Sequence, residues 1–228
     1  MSGVSPFLAF LLLLAAAFVA YRWRAAVGRE RKLLQTLSER KSDLLRASGR
    51  LESANRQLER LASLDGLTGV ANRALFEEVL DREWRRLTRY NLPLTVILVD
   101  IDSFTLYNES NSHRAGDECL RKLASYLAGA VNRPGDLVAR YAADEFAVLL
   151  AGTEPAGGIT VADTLRAGVS HLAIPRSPEI ADPVTICVGV ATVVPWEGMN
   201  PAALIERAEW ALSRARKRGL NRTEIYAA

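Results

Sequence analysis

The sequence predicts an α/β fold, a sheet with helices on its faces, preceded by one transmembrane helix and a coiled-coil helix. Three observations predict it. Beyond residue 70, stretches with helical spacing alternate with short apolar runs, and one pair of runs is joined by a tight turn, the pattern of helices layered on a sheet. Ahead of these lie an unbroken apolar segment and a leucine heptad repeat. With 49% hydrophobic and 24% charged residues, the chain has too much apolar surface for disorder and too little Gly or Pro for a fibrous repeat.

Residues 1–24 form the first predicted unit. Phe7 to Tyr21 is an unbroken apolar run, extended by uncharged residues back to Met1; crossing a hydrocarbon core needs about 20 residues. Arg22, Arg24, Arg29, Arg31 and Lys32 follow it and no basic residue precedes it. The positive-inside rule then puts the C-terminal side in the cytoplasm, which predicts a single-pass protein of the inner (cytoplasmic) membrane. Ala15-Ala16-Ala17 would serve as a signal-peptide cleavage site, but the positive n-region is lacking.

Charge divides along the same lines. Residues 22–62 hold 11 Lys/Arg against 5 Asp/Glu, and residues 63–228 hold 18 against 21. The basic excess therefore belongs to one short stretch behind the apolar run, which argues against nucleic acid as a partner.

Residues 25–62 read as a coiled-coil linker. Leu37, Leu44, Leu51 and Leu58 recur every seven residues, and Leu34, Lys41, Ser48 and Asn55 precede them by three. A leucine d seam with polar a positions favours a parallel homodimer in a defined register. A lone amphipathic helix would show a wider stripe.

The third unit, 63–228, opens after the turn-rich break Ser63-Leu64-Asp65-Gly66. Ala71–Leu87 reads as a helix and Leu94–Asp102 as a buried strand. Arg114–Val131 reads as a helix, and Val138–Leu150 as two strands with a tight turn. Ile159–Leu172 is expected to be helical, Val184–Val194 extended, Pro201–Arg218 helical, and Thr223–Tyr226 a last short strand. Cys119 and Cys187 sit among apolar neighbours, as reduced core residues do.

Four ordered blocks carry the chemistry: Asp65-Gly-Leu-Thr-Gly-Val-Ala-Asn-Arg73, Asp100-Ile-Asp-Ser-Phe104, His113-Arg-Ala-Gly-Asp117 and Arg140-Tyr-Ala-Ala-Asp-Glu-Phe146. Together they resemble the GGDEF family of diguanylate cyclases over about residues 63–226. The resemblance implies a palm-like fold of the nucleotide-cyclase type that condenses two GTP into cyclic di-GMP. It also implies two such domains meeting face to face, each holding one GTP.

The implied reaction is attack of a 3′-hydroxyl on an α-phosphate with loss of pyrophosphate, which needs a divalent metal and convergent carboxylates. Asp100 ends a strand and Asp144 lies in the hairpin turn, so adjacent strands would bring them together. By resemblance they hold Mg2+ (or Mn2+) with the Ile101 carbonyl, oxygen donors that suit a hard cation. Glu145 is expected to stabilise the transition state or to take the proton of the attacking hydroxyl. Asp102 reads as a turn residue or helix cap, outside the metal set. Asn108 and Asp117 match the family's guanine-reading positions, although Asp117 also reads as a first-turn helix residue favoured by the dipole. His113 is taken as structural.

Arg133-Pro-Gly-Asp136 stands just ahead of the signature, and its spacing resembles the family's inhibitory site, where product binds. Read alone it is a turn. Arg216 stands where the family has a phosphate-binding Lys.

The chain departs from the family at several positions. The signature begins Ala142-Ala143 in place of two glycines; alanine forced to positive φ would cost about 1–2 kcal/mol, and its methyl would fill space near a nucleotide. Thr105 replaces a common Lys and Leu220 a family Arg, with Lys217, Arg218 and Arg222 nearby as substitutes. Glu109 and Ser112 decide little. The expected function is a membrane-anchored diguanylate cyclase working across a homodimer interface. The alternative is a degenerate GGDEF domain that binds cyclic di-GMP or GTP as a signalling module.

Overall fold

A computed structural model describes residues 22–24, 40–48, 63–177 and 182–227. The chain divides into two compact units, Met1–Leu58 and Glu59–Ala228. In the first, residues 22–24 and 40–48 are helical, and Leu44 is 71% exposed. The rest of the heptad stretch and the apolar run over 1–21 lie outside the described residues. No helix among the described residues is long and apolar enough to cross a membrane. The expected single-pass inner-membrane placement is therefore not upheld.

The second unit runs through strand β1 (Ala71–Asn72), helix α1 (Arg73–Tyr90), strand β2 (Leu94–Ile101) and helices α2 (Phe104–Asn111) and α3 (His113–Ala130). Strands β3 (Leu137–Arg140) and β4 (Glu145–Ala151), helix α4 (Pro155–His171), strand β5 (Ile186–Val193), helix α5 (Pro201–Arg218) and strand β6 (Thr223–Ile225) complete it. The six strands form one sheet in the order β1-β3-β4-β2-β5-β6. The outer pairs β1–β3 and β5–β6 are parallel, and the inner pairs are antiparallel.

Burial on both faces explains the sequence of the central strand. Ile97 and Val99 of β2 face one core with Leu120, Leu123 and Leu127 of α3 and Leu165 of α4. Val96 and Leu98 face the other, with Phe76, Leu80 and Trp84 of α1 and Leu204, Ala208 and Leu212 of α5. A strand covered on both sides carries a continuous apolar run instead of an alternating one. Complete burial of a side chain such as Phe76 or Phe146, each 0% exposed, contributes about 1.5–3 kcal/mol.

Helix boundaries follow local chemistry. Asn72 caps α1 by accepting from the Leu75 amide at 2.9 Å, and this cap separates the first residues of the expected helix into β1. Pro155 and Pro201 occupy first turns of α4 and α5, where a missing N–H does no harm. Helix α2 was not expected: only Tyr107 of its eight residues is buried, so its apolar periodicity is faint.

The packing of α5 fixes the reach of its last turn. A Cβ at Gly189 of β5 would stand 2.3 Å from the Leu212 nitrogen and 2.4 Å from the Ala208 oxygen. Only a glycine lets the helix backbone approach the strand so closely, and this seats the basic C-terminal turn of α5 beside the edge where β2 ends.

Candidate active site

The edge where β2 and β3 end and β4 and β5 begin gathers the acidic residues. Asp100 pairs directly with Glu145 across β2 and β4, and with Cys187 across β2 and β5. Asp144 precedes Glu145 in the hairpin loop. The Arg216 guanidinium, from the last turn of α5, donates through Nη2 to the Asp100 carboxylate and to Glu145 Oε1, the latter at 2.6 Å. Burial pushes the Asp100 carboxyl up to about 6; Arg216 opposes this, and the negative charges of Asp144 and Glu145 reinforce it. The expected acidic pair thus shares one electrostatic neighbourhood, together with the residue expected to bind phosphate.

The group's fit to a divalent cation can be judged from its own chemistry. A cation, the guanidinium, already lies between two of the carboxylates, so positive charge is accommodated there. Among the described residues no three or more His, Cys, Asp or Glu side chains form a metal cage. The donors at this edge instead suit an ion that keeps waters and phosphate oxygens, as Mg2+ does.

The signature loop is held from outside. Tyr141 and Ala142 donate their amides to the Glu145 carbonyl at 2.8 and 3.1 Å. Arg140 donates to the Ala143 carbonyl at 2.6 Å and to Asp65 Oδ1 at 3.2 Å. Burial disfavours the Asp65 charge, yet the Thr68 hydroxyl and amide and the Arg140 guanidinium hold its carboxyl below the usual range. This Asp65–Arg140 clamp was not assigned from sequence, although both residues stand in the recognised blocks. Neither Ala142 nor Ala143 has positive φ, and both are exposed. The strain expected for alanine at these positions is absent, because the loop turns through conformations any residue adopts.

A second feature lies at the junction of α2 and α3. Asn108 Oδ1 is buried and has no hydrogen-bond partner. It lies over Gly116, where a Cβ would come within 1.9 Å of it. A buried acceptor without a donor costs about 1–3 kcal/mol, so this amide oxygen is suited to an N–H from a ligand. Asp117 is exposed one residue beyond Gly116. Helix α3 begins at His113, capped by Ser112, and has no acidic residue in its first turn. The dipole reading of Asp117 therefore falls.

Asp102 lies in the turn that follows β2, as expected, and outside the acidic edge, but it does not cap α2, whose cap position is Ser103. It is 5% exposed, and its Oδ2 accepts from the Thr185 hydroxyl at 2.6 Å and from the Asn221 amide at 2.7 Å. It ties β2 to the approaches of β5 and β6, partners too distant in sequence to foresee. Leu220 lies beyond the end of α5 and is 49% exposed. Of its expected substitutes, Arg218 is held by Glu224 at 2.8 Å. Cys119 and Cys187 are free and buried; burial raises their thiols to about 11 and about 12.

Arg133 and Asp136 lie ahead of β3, at the opposite end of the β3–β4 hairpin from the signature loop. The Asp136 amide donates to the Arg133 carbonyl at 3.1 Å, the turn expected of the segment. Asp136 Oδ1 accepts from the Ala151 amide at 3.3 Å, and burial raises its carboxyl. Arg133 is exposed.

Known proteins resemble this chain in sequence and in fold. Residues 62–222 match the family model described as diguanylate cyclase, GGDEF domain. The chain is 34% identical over 178 residues to "Probable diguanylate cyclase DgcC" of Escherichia coli, covering 78% of this chain and 47% of that protein. It is 36% identical over 163 residues to the response regulator PleD of Caulobacter vibrioides, covering 71% of this chain and 35% of that one. It thus spans about half or less of these relatives. Among solved structures, the coiled coil and GGDEF domain of DgcB from Caulobacter crescentus, in complex with c-di-GMP, matches with a TM-score of 0.67 at 28% identity. That match covers 83% of this chain and 98% of the other. A family model spanning residues 62–222, with the acidic edge and the signature hairpin inside it, establishes that the chain belongs to the GGDEF family of diguanylate cyclases.

Proposed function

We propose that the protein is a diguanylate cyclase that condenses two GTP into cyclic di-GMP and two pyrophosphates. The observation that carries this reading is the pairing of Asp100 with Glu145, bridged by Arg216. In each half-reaction a bond forms between the 3′-oxygen of one GTP and the α-phosphorus of the other. The bond from that phosphorus to pyrophosphate breaks, and the hydroxyl proton leaves.

Asp100, Asp144 and the Ile101 carbonyl would hold Mg2+ or Mn2+, which supplies charge neutralisation at the phosphates. Glu145 stands beside Asp100, in position to stabilise the developing charge or to accept the hydroxyl proton. Arg216 would exchange its carboxylates for phosphate oxygens, a pairing that suits its fork of donors. Asn108 Oδ1 and the Asp117 carboxylate are acceptors, matching the N1–H and N2–H donors of guanine; adenine does not present that pair.

Two chains are needed, because each would bring one GTP to the shared reaction. The heptad leucines, with Leu44 71% exposed, support a homodimer joined through residues 25–62. Arg133 and Asp136 would bind product at the far end of the hairpin from the signature loop, an arrangement suited to feedback. A second reading, a module that binds cyclic di-GMP without turnover, is favoured by the exposed Leu220, which supplies no charge to a triphosphate.

Pyrophosphate release from GTP and Mg2+ by the purified chain tests the proposal. Release that is abolished in Asp144→Ala supports the cyclase. No release, with cyclic di-GMP binding that is lost in Arg133→Ala, supports the binding module.

A further inference from the structure

The contact that holds the acidic edge together has a consequence for how the edge is loaded. We propose that Arg216 and the divalent cation take turns at the Asp100 carboxylate, so that metal binds well only when a nucleotide draws the guanidinium away. This rests on reading the edge as a metal–nucleotide site.

One nitrogen of Arg216, Nη2, donates to both Asp100 and Glu145. Among the described residues it is the only cation in ion-pair contact with either. A divalent cation held by Asp100 and Asp144 would meet that guanidinium at the carboxylate both need, Asp100, where like charges repel at contact distance, so the two compete. The guanidinium can move: its side chain is 43% exposed and rises from the last turn of α5. The helix cannot follow it, because Gly189 locks α5 against β5.

A triphosphate offers several charged oxygens within the reach of that side chain, and charge-assisted pairing with phosphate is a strong competitor for arginine. Nucleotide arrival would release Asp100 for the metal as it supplies phosphate ligands of its own. Free metal would be resisted at the empty edge, and the order of loading would follow from one side chain.

The test is calorimetric titration of the full chain with MnCl2 alone, then with a non-hydrolysable GTP analogue present. Arg216→Ala and the neutral, hydrogen-bonding Arg216→Gln should each bind Mn2+ alone about tenfold more tightly than the unaltered chain, the worth of one charge-assisted contact. With the analogue, both variants should bind the nucleotide more weakly. A gain below about threefold in both folded variants overturns the proposal and leaves the cyclase reading standing. A gain that persists in Asp100→Asn/Arg216→Ala puts the ion elsewhere and also overturns it. Absence of Mn2+ binding in every chain, with and without the analogue, overturns both readings.

Discussion

Replacing Gly116 by alanine separates folding from function more sharply than any substitution of a charged residue. The added methyl would stand 1.9 Å from Asn108 Oδ1, 3.0 Å from Asn108 Cγ and 3.3 Å from Phe104 Cζ. The first two atoms belong to the end of a short side chain that can rotate away, so the fold has an inexpensive escape. Displacement relieves an unpartnered buried oxygen, and alanine for glycine inside a helix contributes about 0.5–1 kcal/mol. Stability should therefore hold or rise, with a melting temperature no lower than that of the unaltered chain. Guanine recognition should suffer, because the displaced amide no longer meets the base. Loss of a buried hydrogen bond with its acceptor misplaced is worth about 1–3 kcal/mol, or roughly tenfold to a hundredfold in affinity. Isothermal titration with a non-hydrolysable GTP analogue, alongside thermal unfolding, reads both quantities. Unchanged nucleotide affinity in Gly116→Ala and also in Asn108→Ala would refute the assignment of Asn108 to the base. A large fall in melting temperature would refute the claim that the side chain can yield.

Asp102→Ala strands the Thr185 hydroxyl and the Asn221 amide, and should destabilise the domain by about 2–4 kcal/mol in urea unfolding; a change under about 0.5 kcal/mol would contradict its bracing role. For the metal-free chain, the Asp100 carboxyl lies at about 6, above its unfolded value. The native state then binds the proton more tightly, so this group's contribution to stability falls as pH rises from about 4 to about 6. Asp100→Asn should flatten that stretch of the pH–stability curve, and an unchanged slope would count against the shift. Because neither alanine of the signature has positive φ, Ala142→Gly/Ala143→Gly should relieve no strain and should lower stability by about 0.4–1 kcal/mol per site through unfolded-state entropy. A marked rise in melting temperature would show strain after all.

Much of the domain was legible because its signals were local. The run Leu94–Asp102 reads as a fully covered strand without any partner in view, and Val138–Leu150 carries its own turn. Asp100 and Asp144 were legible as a pair because the first ends that strand and the second lies in that turn. What escaped depends on distance or on weak patterning. Helix α2 buries one residue of eight, too little for a periodic stripe. The partners of Asp102 lie 83 and 119 residues along the chain. The Arg140 clamp on Asp65 spans 75 residues. The expected strain at Ala142 and Ala143 failed for another reason: family glycines report what a typical loop needs, whereas backbone angles belong to the individual loop. The apolar run over 1–21 lies outside the described residues, among which no helix is long and apolar enough to cross a membrane.

The central claim is that Asp100, Asp144 and their neighbours grip a nucleotide through a divalent cation. Its most direct test is the affinity of the full chain for a non-hydrolysable GTP analogue, measured with Mg2+ and again with excess chelator, in the unaltered protein and in Asp100→Asn. The account predicts that chelation weakens binding at least about tenfold in the unaltered chain and changes little in Asp100→Asn, which should already be weak. Equal affinity with and without metal, in both proteins, would contradict it.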